Sequence, residues 1–371
     1  MMNSDWYKID NVNELDSPAL VIFPERVKKN IETAIGMVGT ASRLRPHVKT
    51  HKSPDTAKMM LHAGITKFKC ATIAEAEMLG TLAAPDVLLA YQPLGPKLER
   101  FVRLVKKFPQ TKFSCLTDNM EAAIEQDKSF SSNGLQVEVY VDLNVGMNRT
   151  GIAPGEEAFK ICKFSSTATG IRLGGLHVYD GHVRDANFSI RKKQSDEAFA
   201  TAQKMREQLG EAGIKISNVI AGGSPTFPIH AMRTNVECSP GTFVYWDKTY
   251  IDQCPEQNFI PAALVLTRVI SIPARGKLCT DLGHKSIAAE NDLDHRVFFL
   301  NATDLKAVSH SEEHFVLQTS EVHPFKTGDV LYGLPYHICP TIALYERAII
   351  IENAKAVGEW KNIARDRKIT V

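Results

Sequence analysis

The stretch Phe199–Thr226, FATAQKMREQLGEAGIKISNVIAGGSPT, carries a helix, a stop, a strand and a glycine-rich turn in immediate succession. Phe199, Ala202, Met205 and Leu209 recur every three or four residues and mark the buried face of a helix over 198–209. Gly213 supplies its stop. Residues 216–221 then read as a short buried strand that leaves through Gly222-Gly223-Ser224-Pro225-Thr226. Working outward, the same alternation recurs. Candidate strands fall at 45–49, 67–71, 86–90, 112–116, 136–142 and 172–178 upstream and at 234–238 downstream, with amphipathic stretches between them. Eight strand–helix alternations in about 200 residues predict an α/β fold of the (β/α)8 TIM-barrel type rather than an open doubly wound sheet.

After Gly241 the helical periodicity fades. Apolar-alternating runs at 262–272, 296–300, 314–319, 329–334 and 341–352 predict a mainly β C-terminal domain. The early run Ala19-Leu20-Val21-Ile22-Phe23 precedes the first barrel helix and can pair with that domain instead of the barrel. The expected organisation is a barrel over 24–245 and a mainly β domain built from 1–23 plus 246–371. No internal repeat or low-complexity linker interrupts it.

Composition bounds the function classes. The 371 residues are 44% hydrophobic and 23% charged, ordinary for a soluble globular protein. A formal charge of +2 without a long basic run gives no nucleic-acid footprint. No apolar stretch approaches the roughly 18 residues that suggest a membrane span. Met1–Asp16 is polar and lacks the layout of a signal peptide, so a cytoplasmic location is expected. The seven cysteines (70, 115, 162, 238, 254, 279 and 339) are odd in number and show no CxxC spacing, which predicts reduced thiols. Six read as small buried apolar residues; Cys339 is the exception.

The chemistry begins at Arg45-Pro46-His47-Val48-Lys49-Thr50-His51-Lys52. By itself such a run is a solvated basic stretch. Lys49, however, falls where the first barrel strand should end, and a lysine aimed inward there can form a Schiff base with an aldehyde cofactor. The turn after strand seven suits a phosphate: Gly222 and Gly223 let backbone N–H groups approach, and the Ser224 and Thr226 hydroxyls can donate further hydrogen bonds. Arg149, beyond strand five, either lies on the surface, pairs with Asp142, or faces the cofactor ring as a permanent cation. His177 and Tyr179 share one face of strand six by period two, with Asp180 and His182 weaker candidates after them. Near the end, His337 and Cys339 stand at i and i+2, and in an extended segment they point the same way, as two ligands of one metal should. Sulfur favours zinc or another thiophilic ion. A two-ligand site would keep open positions for substrate.

Together these segments resemble the D-threonine aldolase and D-serine dehydratase group of pyridoxal-phosphate enzymes, whose fold is that of the alanine racemases. The resemblance also covers Leu15-Asp16-Ser17-Pro18-Ala19-Leu20, Gly146 to Gly151, Pro240-Gly241-Thr242-Phe243-Val244-Tyr245-Trp246-Asp247 and Glu312-Glu313-His314. It implies that Lys49 carries pyridoxal 5'-phosphate, that Arg149 lies beside its ring, and that Gly222 and Gly223 with Ser224 and Thr226 hold its phosphate. It further implies that His337 and Cys339 bind a divalent metal, zinc or else manganese or magnesium, and that the protein is a homodimer. The candidate catalytic residues are Lys49, His177 and Tyr179, and Tyr179 also belongs to the cofactor-binding set. Cys339 tilts the comparison toward dehydratases, whereas Tyr179 with the following Asp-Gly-His looks more like the aldolases. The expected activity is a lyase on D-3-hydroxy amino acids, with aldol cleavage to glycine and an aldehyde ahead of dehydration of the D-serine type. The rivals are an amino acid racemase, which needs a second base, and a non-catalytic carrier of pyridoxal phosphate, which needs no second domain.

Overall fold

A computed structural model describes residues 5–371. The chain divides into two compact units. One runs to Ile31 and then takes in Thr50–Asp55 and Thr242–Arg365; the other comprises Glu32–Lys49, Thr56–Gly241 and Asp366–Val371. Strand β1 (Ala19–Ile22) belongs to the first of these, the β unit. In the second, the barrel unit, β2 (Lys67–Cys70), β3 (Asp86–Leu89), β4 (Lys112–Thr117), β5 (Val137–Leu143), β6 (Ile171–Val178), β7 (Asn218–Ala221) and β8 (Glu237–Cys238) form one parallel sheet in chain order.

Residues 44–48 bridge the two edges of that sheet. Leu44 pairs with Cys238 and His47 with Lys69, both in parallel. The N–H groups of Arg45 and His47 donate to Cys238 and Pro240, and Val48 donates to Lys69, each at 2.9 Å. The predicted strand 45–49 thus lies at the expected barrel position but is not a regular strand. Pro46 has no N–H to give a ladder, and the chain turns from Val48 onward. The expected strand 234–238 shrinks to Glu237–Cys238 because 234–235 lie in a turn.

Buried Arg45 pairs with Glu237 at 2.8 Å and Asp86 at 2.6 Å, while the exposed Lys112 and Arg172 pair with Glu138 at 2.8 and 2.9 Å. Removing one partner of a buried pair such as Arg45–Glu237 costs about 3–5 kcal/mol, because the other charge is left uncompensated. An apolar cluster of Leu88, Leu116, Tyr140 and Ile220 packs within the same unit. By period two, the strand positions after Lys67 and Tyr140 that face inward are Lys69 and Asp142.

The β unit holds β9 (Ala263–Ala274), β10 (Lys277–Thr280), β11 (Val297–Phe299), β12 (Lys306–His310), β13 (Phe315–Gln318), β14 (Val330–Pro335), β15 (Arg347–Glu352) and β16 (Lys355–Lys361), joined with β1 in one sheet. β1 lies antiparallel to β9 and parallel to β15, so the early apolar run pairs with the C-terminal strands as expected. Val21, Phe23, Leu264, Leu266, Tyr332 and Leu334 are part of its core. The predicted run 341–352 divides: only Arg347–Glu352 is strand, and Ile338–Leu344 is a helix with Ile338, Thr341 and Ile342 buried. A short apolar run does not distinguish a buried strand from a buried helical turn. Among the described residues no disulfide forms; six cysteines are buried and Cys339 is half-buried. No described helix is long and apolar enough to cross a membrane.

Candidate functional site

Lys49 follows the barrel-closing segment and sits half-buried in the turn that begins at Val48, its N–H donating to His47 Nδ1 at 3.2 Å. Its neighbour across the bridge is a second lysine that sequence reasoning missed. Lys69 is only 3% exposed, with its ammonium 5.8 Å from the centre of the Tyr179 ring. Burial, and next the charge of Lys49, push its pKa down to about 7; Arg45 and Arg149 act in the same direction and Asp142 opposes them. The stability consequence has a definite sign. Between about pH 7 and the ordinary 10.5 the unfolded chain holds this proton and the folded chain does not, so Lys69 costs most stability at and below neutral pH. Lys69→Met should therefore stabilise the cofactor-free protein by about 2–4 kcal/mol at pH 7, with the gain vanishing toward pH 10.5. Urea midpoints at pH 7 and 10 read this directly. A variant less stable at pH 7 would show that the amine is favourably paired.

At the end of β6, His177 Nδ1 lies 2.7 Å from Asp142 Oδ1 at the end of β5, and both side chains are buried. Burial would raise the Asp142 carboxyl, but the His177 contact holds it below its usual value; burial pushes the His177 imidazole down. The arrangement is a neutral imidazole whose Nδ1–H donates to the carboxylate. Its Nε2 is then a buried lone pair with no hydrogen-bond partner among the described residues. Tyr179, just beyond the strand, stacks under the Arg149 guanidinium at 4.9 Å. Arg149 lies on an exposed loop and contacts Tyr179 without pairing with Asp142, whose close partner is His177.

The turn after β7 needs a glycine at its first position, and the second is closely packed. Gly222 has φ +78°, and a Cβ there would lie 2.5 Å from the His230 ring. A Cβ on Gly223 would lie 3.1 Å from the Tyr179 ring. Ser224 is buried, with its Oγ accepting from Gly241 N–H at 3.5 Å. Thr226 Oγ1 donates to Asp180 at 2.7 Å and accepts from Gly223 N–H at 3.3 Å. A hydroxyl has one proton, and here the Thr226 proton goes to Asp180, so Thr226 is engaged behind the turn expected to hold a phosphate. The remaining features fit pyridoxal phosphate. A glycine-lined turn, two lysine amines, an unpartnered imidazole nitrogen and the Arg149 guanidinium lie in one barrel unit.

In the β unit, His337 is the residue before the helix Ile338–Leu344, so Cys339 falls in a first helical turn rather than in the extended segment that the sequence suggested. Pro340, also in that turn, suits a helix start because N–H groups there lack helical partners. The two side chains still converge. Burial would lower the His337 imidazole, yet its hydrogen bond and charge contact with Cys339, and then the Glu290 carboxylate, push it up to about 9. Glu290 bonds to His337 Nδ1, the arrangement that orients imidazole ligands on metals. Cys339 Sγ lies 3.2 Å from Thr50 Oγ1 and 3.6 Å from Thr242 Oγ1. Asp247, buried behind the pair and accepting from Ile338 N–H at 3.2 Å, has its carboxyl pushed up to about 7 by burial. Among the described residues no group of three or more His, Cys, Asp or Glu side chains is placed to hold an ion. The donor set fits a metal with two protein ligands and open positions; Glu290 had no local signal by which the sequence could have nominated it, and Asp247 stood only at the end of the Pro240–Asp247 stretch, with no role given to it.

Residues 22–249 match the family model described as "Alanine racemase, N-terminal domain", and residues 262–351 match "Putative serine dehydratase domain". A 3-hydroxy-D-aspartate aldolase from Paracoccus denitrificans (strain Pd 1222) is 25% identical over 96% of this chain and 93% of its own length. A D-threonine aldolase from Arthrobacter sp is 24% identical, covering 96% of this chain and 94% of the relative. Among solved structures, D-threonine aldolase from Filomicrobium marinum superposes with a TM-score of 0.87 at 25% identity, covering 95% of this chain and 96% of that one.

Proposed function

The chain belongs to the alanine racemase N-terminal domain family, and from that premise we propose that it is a pyridoxal-phosphate-dependent lyase that cleaves D-3-hydroxy amino acids to glycine and an aldehyde. The observation that carries the reading is the unpartnered Nε2 of His177, a buried acceptor fixed by Asp142 in the barrel unit that also holds the Lys49 amine. Buried polar atoms left without a partner call for a ligand. In this reading Lys49 binds the aldehyde, the Gly222, Gly223 and Ser224 turn holds the phosphate, and Arg149 and Tyr179 border the ring. His177 Nε2 is an acceptor able to take a proton, and Asp142 keeps it in the tautomer that can. When bound, pyridoxal phosphate supplies an electron sink for charge developing at the substrate Cα. A divalent ion on His337 and Cys339 would lower the pKa of a hydroxyl bound to it.

Similarity to a D-threonine aldolase and a 3-hydroxy-D-aspartate aldolase supports aldol cleavage. Dehydration is the second reading, favoured by the Cys339 sulfur beside His337 within the stretch matched to the serine dehydratase domain. Incubating the purified protein with D-threonine, D-serine and a D-3-hydroxyaspartate, with and without divalent metal, separates the two. Glycine with an aldehyde is the expected product. Ammonia with a 2-oxo acid would establish the dehydratase, and inversion at Cα without cleavage would overturn both in favour of a racemase. The proposal retains the homodimer that the family resemblance implies, and with it, as a separate proposal, a cytoplasmic location.

A further inference from the structure

Asp180, two residues beyond β6, is 2% exposed and accepts three hydrogen bonds: from Thr226 Oγ1 at 2.7 Å, His230 Nε2 at 2.8 Å and Ser195 Oγ at 3.0 Å. The direction of each bond is determined by its far end. Arg233 Nη1 lies 2.5 Å from His230 Nδ1, and a guanidinium can only donate, so Nδ1 accepts and the ring proton sits on Nε2, aimed at Asp180. Arg233 is in turn held by Asp196 at 2.6 Å and lies 4.3 Å over the Phe199 ring. A carboxylate only accepts, so Thr226 turns its proton toward Asp180 and its lone pairs toward Gly223 N–H, at 3.3 Å. The same His230 ring occupies the space a Gly222 side chain would need. Ser195, Asp196 and Phe199 all lie on the helix Phe188–Glu211.

We infer that Asp180 is the positioning residue of the anion cradle, clamping Thr226, His230 and Ser195 so that the Gly222–Thr226 turn is held open for a phosphate monoester. The inference rests on the reading of that turn as the phosphate site. Asp180 touches no ligand itself, and its charge is engaged by three donors behind the turn. An amide in its place has one acceptor oxygen for three donors and turns an NH2 group toward one of them, so the turn must shift.

The test compares ligands with and without the phosphate. Dissociation constants for pyridoxal phosphate, pyridoxal and inorganic phosphate are measured on the cofactor-free full chain, for the wild type, Asp180→Asn, Thr226→Val and Thr226→Ser. Asp180→Asn and Thr226→Val should each weaken pyridoxal phosphate and inorganic phosphate on the order of 10- to 100-fold, the range for losing a partner that orients a ligating group. Pyridoxal should be nearly unaffected, and Thr226→Ser should restore wild-type affinity. Equal weakening of pyridoxal and pyridoxal phosphate, or unchanged phosphate affinity in both variants, overturns the inference. If Asp180→Asn does not fold, the Thr226→Val and Thr226→Ser pair decides alone. A wild type that binds inorganic phosphate but neither aldehyde, with the loss still seen in the variants, sinks the cofactor reading and keeps the inference; a wild type that binds none of the three sinks both.

Discussion

Lys49→Ala is expected to abolish the visible absorbance of the cofactor-loaded protein and to lower turnover by at least about a thousandfold, as loss of a covalent nucleophile does. The structure makes this prediction sharper, because Lys49 has a rival in the same barrel unit. Lys69 lies on the adjoining strand, and its pKa of about 7 leaves a large fraction of neutral amine at physiological pH, the form that attacks an aldehyde. Lys49 is favoured because it is half-buried in a turn at the strand end, whereas Lys69 is 3% exposed within β2. Borohydride reduction followed by peptide mapping reads which lysine holds the cofactor. A label on Lys69 or Lys52 would move the centre of the chemistry, and a Lys49→Ala protein that still turned yellow with pyridoxal phosphate would do the same.

The second large effect is on the metal. Chelation, or Cys339→Ala, should lower cleavage of D-3-hydroxy amino acids by at least about a hundredfold, since an ion with one remaining protein ligand is held far more weakly. The visible absorbance of the bound cofactor should survive, because its proposed anchors, Lys49 and the Gly222 turn, are barrel residues. Cys339→Asp is more informative still: exchanging a soft ligand for a hard one should shift the activating ion from zinc toward manganese or magnesium. Activity assays against metal content, run beside absorbance spectra, separate these outcomes. Full activity in chelated protein would remove the metal from the reaction, and with it the preference for a lyase over a racemase.

Local periodicity made the alternation of strands and helices legible, because core-facing residues recur every 3.6 positions in a helix and every second position in a strand. It also placed Lys49 at the barrel's first position and Gly222-Gly223 behind β7, where turn chemistry is a property of a few consecutive residues. Pro46 stood in plain view, yet the regular strand expected over 45–49 overlooked its missing N–H. What local pattern could not reach was every pairing between residues far apart in the chain. His177 meets Asp142, which lies 35 positions earlier, and His230 meets Asp180 across 50. His337 meets Glu290 across 47. These contacts decide which nitrogen carries a proton, where the one proton of Thr226 goes, and that Lys69 is a buried amine and not a solvated one. Charge state depends on the solvent excluded and the charges gathered around a group, and strands that are far apart in the chain gather them only once the sheet has closed.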